Sequence, residues 1–275
     1  MSNDIIAIQS IAFDEHSSFL QGPALAPKRI QDAFYSSSSN LYTEDGTNLS
    51  DAGKWTFISE IDRSSSDTYK SIQPHIEHLL ANNHRVISLG GDHSITYPII
   101  KAYAKTYPKL TILHLDAHPD LYDELDGNRY SHASPFARIM ESRLASRLVQ
   151  VGIRTLTSHQ REQAKRFGVE IIEMRDIHTL KTLKLEGAVY LSLDMDCLDP
   201  AFAPGVSHHE PGGMSTREVL QLIQNMGGTL VGADIVEYNP ERDINGMTAM
   251  VAAKFLKEIL AKMMHGTSLH VKNPT

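Results

Sequence analysis

Tyr190-Leu191-Ser192-Leu193-Asp194-Met195-Asp196 reads as an apolar strand that ends in two carboxylates. Side chains alternate faces along a strand, so Asp194 and Asp196, at i and i+2, point the same way. Two like charges held side by side are costly unless a cation sits between them. A second string, Leu113-His114-Leu115-Asp116-Ala117-His118-Pro119-Asp120, repeats the device with Asp116, His118 and Asp120 at i, i+2 and i+4. Two strand ends that offer carboxylates and imidazole point to a metal-dependent enzyme.

On either side of these strings, short apolar runs alternate with helical patterns. Residues 5–11, 55–58, 85–89, 110–115, 148–153, 170–173, 188–193 and 230–236 read as strands. Several are apolar on both faces, as in a parallel sheet covered by helices. Helices are expected over 26–35, 67–82, 96–106, 135–141, 159–167, 216–226 and 247–264. Ser215, with Glu218 three residues on, fits a capping box. The alternation implies a three-layer α/β sandwich or a closed barrel, and in both the reacting groups belong at the carboxyl ends of the strands. No repeat and no linker divides the chain, so residues 1–275 are expected to form one domain. The serine runs Ser36–Ser39 and Ser64–Ser66 read as solvated loops.

A net charge of −7 speaks against a nucleic-acid scaffold and suits cationic ligands. Cys197 is the single cysteine, which excludes an intrachain disulfide framework, and it reads as packed rather than nucleophilic. No stretch reaches the roughly 18 to 20 apolar residues of a membrane span. Met1-Ser2-Asn3-Asp4-Ile5-Ile6 has no basic segment and no long apolar core. Neither a signal peptide nor a transit peptide is expected there, and the chain is expected in the cytoplasm.

A third segment, Gly90-Gly91-Asp92-His93-Ser94, follows the strand 85–89 and opens a helix. Paired glycines permit a tight turn and the close approach of a ligand. Alone, His93 reads as a turn residue and Asp92 as a cap or an orienting partner. Beside the other two strings, His93 becomes a candidate ligand. His93, Asp116, His118, Asp120, Asp194 and Asp196 make two imidazoles and four carboxylates, enough for two divalent ions if carboxylates bridge. Oxygen-rich ligation with imidazole and no thiolate favours Mn²⁺, so two Mn²⁺ per subunit are expected. No basic cluster accompanies these motifs, which disfavours a binuclear phosphoesterase. His75 and His78, on a polar helix, read as exposed.

These three segments resemble the metal signatures of the ureohydrolase family, the arginases and agmatinases. Residues 17–23, 130–134, 203–208 and 246–254 are similar to plant-type arginases and carry the resemblance over nearly the whole chain. It implies an open, roughly eight-stranded parallel sheet between helices, assembled as a homo-oligomer, commonly a trimer or hexamer. It implies one ion held by His93, Asp116, Asp120 and Asp194, and another by Asp116, His118, Asp194 and Asp196. The activity implied is hydrolysis of L-arginine to urea and L-ornithine. Agmatine is the alternative substrate, and a non-catalytic guanidino-binding member is the remaining alternative.

Guanidinium is a poor electrophile because its charge is delocalised, and neutral water is a poor nucleophile. Two ions lower the pKa of a bridging water toward ~7, and the hydroxide attacks the guanidinium carbon. Glu237, which ends the strand 230–236, is placed to pair with the guanidinium, and Asp120 to protonate the departing amine. His132 aligns with the family's proton-shuttle histidine, and His208 lies in the loop that shapes the guanidinium end of the pocket. His209 reads as structural. In the loop 121–130, Tyr122 and Tyr130 stand where animal arginases have asparagine-like readers of the substrate tail. Asn128 or Arg129 is the candidate contact for an α-carboxylate. Asp123, Glu124 or Asp126 is the candidate for a terminal amine, and Glu210 is an agmatinase-like feature.

Overall fold

A computed structural model describes residues 5–50, 53–61 and 67–266. Residues 1–4 of the N-terminal reading and the run Ser64–Ser66 lie outside the described residues. The strands are β1 (Ile6–Ser10), β2 (Trp55–Ile58), β3 (Arg85–Leu89), β4 (Thr111–Leu115), β5 (Arg147–Ile153), β6 (Glu170–Glu173), β7 (Ala188–Asp194) and β8 (Thr229–Val236). They pair in parallel, in the order β2-β1-β3-β8-β7-β4-β5-β6. The sheet is open, with β2 and β6 at its edges, so the sandwich holds and the barrel does not.

A parallel sheet must be covered on both faces. Helices α1 (Ala26–Phe34), α6 (Thr216–Asn225) and α7 (Met247–His265) bury their apolar sides on one face. Helices α2 (Thr68–Ala81), α3 (Thr96–Thr106), α4 (Pro135–Glu141) and α5 (Ser158–Phe167) cover the other. Every residue of β3 and β4 is buried, which explains their unbroken runs, whereas edge strands β2 and β6 are mostly half-exposed. The Ser215–Glu218 capping box forms in both directions. Between β6 and β7, a kinked 3-10 segment, Met174–Thr182, stands where a crossover helix would be. His75 departs from its expected exposure: it is half-buried, with Nε2 2.7 Å from Gln9 Oε1.

The strand order decides where chemistry can gather. The chain lays β1–β3 on one side and β4–β6 on the other, and then returns with β7 and β8 to fill the gap. Strands β3, β8, β7 and β4 thus become neighbours, and their carboxyl ends meet. The register adds a second feature. Ser88, Asp234, Ser192, His114 and Gln150 lie opposite one another on five successive strands, and all are fully buried. Buried polar groups are generally held by hydrogen bonds, as Asp234, Ser192, His114 and the Gln150 amide are here, while Ser88 Oγ has no partner.

Candidate metal centre

The ligand candidates occupy the ends of three of those four strands. His93 follows β3 across Gly90-Gly91, Asp116 begins the segment after β4, and Asp194 is the last residue of β7. The glycines serve the fold rather than a ligand: a Cβ on Gly91 would lie 1.8 Å from the Phe13 carbonyl oxygen, the acceptor of the Asp92 N–H at 2.9 Å. Asp92 caps the turn at Ser94 and accepts the His16 N–H at 3.0 Å, so it ties the loop after β1 to the site.

His93 Nδ1 lies 3.1 Å from Asp120 Oδ2, 3.1 Å from Asp194 Oδ2 and 3.3 Å from Asp116 Oδ2. On the other side, His118 Nδ1 lies 3.0 Å from Asp196 Oδ2 and 3.4 Å from Asp116 Oδ1. Asp116 therefore turns one oxygen to each imidazole. Backbone amides hold three of the carboxylates: His118 N–H donates to Asp116 Oδ1 at 2.6 Å, Asp196 N–H to Asp194 Oδ1 at 2.8 Å, and Ala117 N–H to Asp196 Oδ1 at 3.1 Å.

The cluster is short of positive charge. Burial, and then the charges of Asp196 and Asp116, push the Asp194 carboxyl well above its usual range. Burial opposes charge on His93 and His118, yet the surrounding carboxylates lift both well above an ordinary imidazole. Asp116, pulled up by burial, is held well down by His114, His118 and His93. His93 Nδ1 is buried among three carboxylates and makes no hydrogen bond. A donor set of carboxylate oxygens and imidazole nitrogens with one such orphan nitrogen fits divalent cations. Cys197 is not part of it: burial pushes its thiol well up, and it packs in the core.

A cavity of about 250 Å³ opens over these groups, lined by His118, Asp120, Asp194 and Asp196 together with Glu237, His132 and His208. Glu237 Oε1 accepts the His93 N–H at 2.9 Å and lies 2.8 Å from His132 Nδ1. The far nitrogen of His132, Nε2, lies 2.8 Å from Ser18 Oγ and 3.1 Å from the Ser18 N–H. Burial lowers the His132 pKa, but Glu237 outweighs it and lifts the ring to about 9. The Ser18 amide opposes that protonation, because it can donate only to a bare nitrogen. His208 is held below the ordinary value by burial and by His118 and His132. Asp120 and Glu237 both have left-handed backbones, φ 49° and 61°. Such conformations cost about 1–3 kcal/mol each and persist where surrounding contacts impose them. For Glu237 those contacts include its own N–H, donated to Gly91 O at 2.9 Å.

The structure thus gathers His93, Asp116, His118, Asp120, Asp194 and Asp196 with Glu237, His132 and His208. It does not bring Asn128 to the cavity: Asn128 Oδ1 accepts the Tyr130 N–H at 2.9 Å, so the side chain braces its own turn. Arg129 turns to Asp123 and Glu141. Ser18, Tyr122, Leu125, Ala133, Thr155, Gln160 and Glu210 complete the lining, whereas Tyr130 is outside it. Sequence reasoning passed over His114, whose Nε2 donates to Asp116 Oδ2 at 2.7 Å and whose ring stacks on Phe136. The signal was present, since His114 stands two residues before Asp116 on one strand face. Ser18 lies in the segment 17–23 that carries part of the family resemblance, but only the tertiary fold brings it to His132.

Fold and site together define an α/β protein with a carboxylate–imidazole metal centre at adjacent strand ends. The chain belongs to the arginase family, whose sequence pattern matches residues 4–261. It is 50% identical over 274 residues to "Arginase 1, mitochondrial" of Oryza sativa subsp. indica, covering 92% of this chain and 80% of that protein. It is 49% identical over 278 residues to "Arginase 2, chloroplastic/mitochondrial" of Arabidopsis thaliana, covering 94% and 80%. The solved arginase of Medicago truncatula superposes with a TM-score of 0.89 at 43% identity, over 95% of this chain and 88% of that one. The chain is accordingly an enzyme of the ureohydrolase type, from a family that is binuclear, metal-dependent and acts on small guanidino substrates. The cytoplasmic expectation is corrected by these relatives, whose names place them in mitochondria or chloroplasts and point to an organelle. That expectation rested on the residues at one end of a sequence, and these do not by themselves set a compartment. Among the described residues no helix is long and apolar enough to cross a membrane.

Proposed function

We propose that this enzyme hydrolyses the guanidino group of L-arginine, giving urea and L-ornithine, as one domain in a homo-oligomeric assembly, trimeric or hexameric. The observation that carries the reading is that His118, Asp120, Asp194 and Asp196 line one cavity with the Glu237–His132 pair, while His93 and Asp116 lie buried against them. His93, Asp116, Asp120 and Asp194 would hold one Mn²⁺, and Asp116, His118, Asp194 and Asp196 the other. When bound, the two ions lower the pKa of water enough to supply a nucleophile at neutral pH.

The chain's own groups do the rest. The cavity lining includes Asp120 and Glu237 and no Lys or Arg, so it attracts a guanidinium. Glu237 spends Oε1 on His132 and on the His93 amide, which fixes the carboxylate before substrate arrives. His208, kept neutral beside that cation, offers a ring face without adding repulsion. Asp120, in the cavity lining, passes a proton to the departing amine. His132 carries protons between Glu237 and Ser18, because its two nitrogens face those two partners.

A specific observation keeps agmatine as the second reading: with no cation in the lining and Glu210 present, the cavity suits an amine end without a carboxylate. Urea release by the Mn²⁺-loaded protein from L-arginine, agmatine, guanidinobutyrate and guanidine decides the matter. Arginine is expected to be fastest. Agmatine far ahead would replace the first reading, and no urea from any substrate would refute both.

A further inference from the structure

The six ligand candidates form one layer of the site, and the polar row beneath them takes no part in the steps above. At the middle of that row Asp234 is fully buried. Its Oδ1 accepts the Ser192 hydroxyl at 2.7 Å, and its Oδ2 accepts the Tyr190 hydroxyl at 2.9 Å and the Thr96 hydroxyl at 2.9 Å. With three hydroxyls donating to it, Asp234 accepts at both oxygens, and a serine hydroxyl has a single hydrogen to give. The Ser192 hydrogen is therefore committed to Asp234. Ser192 Oγ also lies 3.0 Å from His93 Nε2, and toward that atom it can only accept. One His93 proton must then sit on Nε2, so Nδ1 is the nitrogen whose lone pair opens when an ion takes the place of the other proton. Nδ1 is the buried nitrogen that faces Asp116, Asp120 and Asp194 and has no hydrogen-bond partner.

We propose that Asp234 is a positioning residue which, acting through Ser192, selects the tautomer and ring orientation of His93 that open Nδ1 to one of the two metal ions. The inference rests on the two-ion reading above. The sheet supplies the alignment: Ser192 and Asp234 are register partners on β7 and β8, so the serine reaches the carboxylate across one strand spacing. Thr96, three residues after His93 and the first residue of α3, ties the other side of the His93 segment to the same carboxylate. Outer partners of this kind set which nitrogen of an imidazole is free to ligate.

The test uses the full chain, stripped of metal by chelation and titrated with Mn²⁺, with ¹⁵N-histidine NMR on the protein reloaded with diamagnetic Zn²⁺. Wild type is expected to bind two ions and to show His93 protonated on Nε2. Asp234→Asn leaves one acceptor oxygen where Ser192, Tyr190 and Thr96 need two, and Ser192→Ala removes the acceptor of the His93 proton. Each is expected to weaken one Mn²⁺ site by about 10- to 100-fold and to leave the other unchanged. Tyr190→Phe, which removes a different bond to Asp234, is expected to lower Tm and spare both affinities, separating tautomer control from mere stability. If Asp234→Asn does not fold, Ser192→Ala and the wild-type NMR spectrum carry the test. Unchanged affinity at both sites in Ser192→Ala, or a wild-type His93 protonated on Nδ1, overturns the proposal and leaves the two-ion reading standing. A wild-type chain that binds no Mn²⁺ overturns both.

Discussion

At the floor of the cavity, Asp116, Asp194 and Asp196 follow directly on paired strands, are at most 4% exposed and each accept a backbone N–H. At its mouth, the loop 121–130 braces itself instead: Leu125 and Asn128 exchange backbone hydrogen bonds, Asn128 caps Tyr130, and Tyr130 is 48% exposed. The floor is over-determined, because register, amide donors and neighbouring charges all agree on where each carboxylate lies. The mouth is tied to other segments mainly through side chains, Arg138 to Asp123 and Arg129 to Glu141. A molecule built this way keeps the reaction at the guanidino end constant and leaves the choice of substrate tail to a segment that can change without disturbing the sheet.

The comparison can be broken at several depths. Asp196→Ala should do the most damage, leaving one metal ion per subunit by elemental analysis. It should remove several kcal/mol of catalysis, about 10³-fold in urea formation. Two ions and a full rate would refute the ligand assignment. His132→Asn should lower kcat by about 10²-fold with metal content unchanged, since only proton transfer is lost. Equal losses of metal and rate would make His132 a structural member of the floor.

The His132–Glu237 pair also sharpens the contrast through pH. With His132 lifted from 6.5 to about 9, the pair's contribution to stability is complete below pH 6.5 and is lost as pH rises through about 9. The Tm of metal-free protein should therefore fall between pH 7 and pH 9.5, and His132→Asn should flatten that fall. A flat wild-type curve would mean that the Ser18 amide, which favours a neutral ring, prevails over Glu237. The smallest effects belong to the mouth. Glu210→Gln, in the cavity lining, should raise KM for arginine roughly fivefold, about 1 kcal/mol, at constant kcat. Asn128→Ala, outside the lining, should change KM by no more than about twofold. A larger effect for Asn128 would reinstate it as a reader of the substrate.

Much of the floor was legible because a period of two needs no tertiary information. It places Asp194 with Asp196 and Asp116 with His118 on the same faces, and like charges so placed demand a cation. The same rule reached His114 as well, but a histidine inside an apolar strand reads as core until its bond to Asp116 is seen. Asn128 misled for the opposite reason: a loop amide satisfies its own backbone as readily as a ligand. Glu237 was legible as a strand-end carboxylate, while its bond to His132, 105 residues away, was not.

The sequence by itself determined the alternation of strands and helices and the paired carboxylates at strand ends, since each depends on spacing within one segment, and its motifs together carried the resemblance to ureohydrolases. Only the tertiary structure decided that β7 and β8 return between β3 and β4, and so which strand ends meet. It alone aligned Ser88, Asp234, Ser192, His114 and Gln150 into one buried row. The physical reason is that register between distant strands is set by burial of whole faces and by hydrogen bonds across the sheet, terms that belong to pairs of segments and to no segment alone.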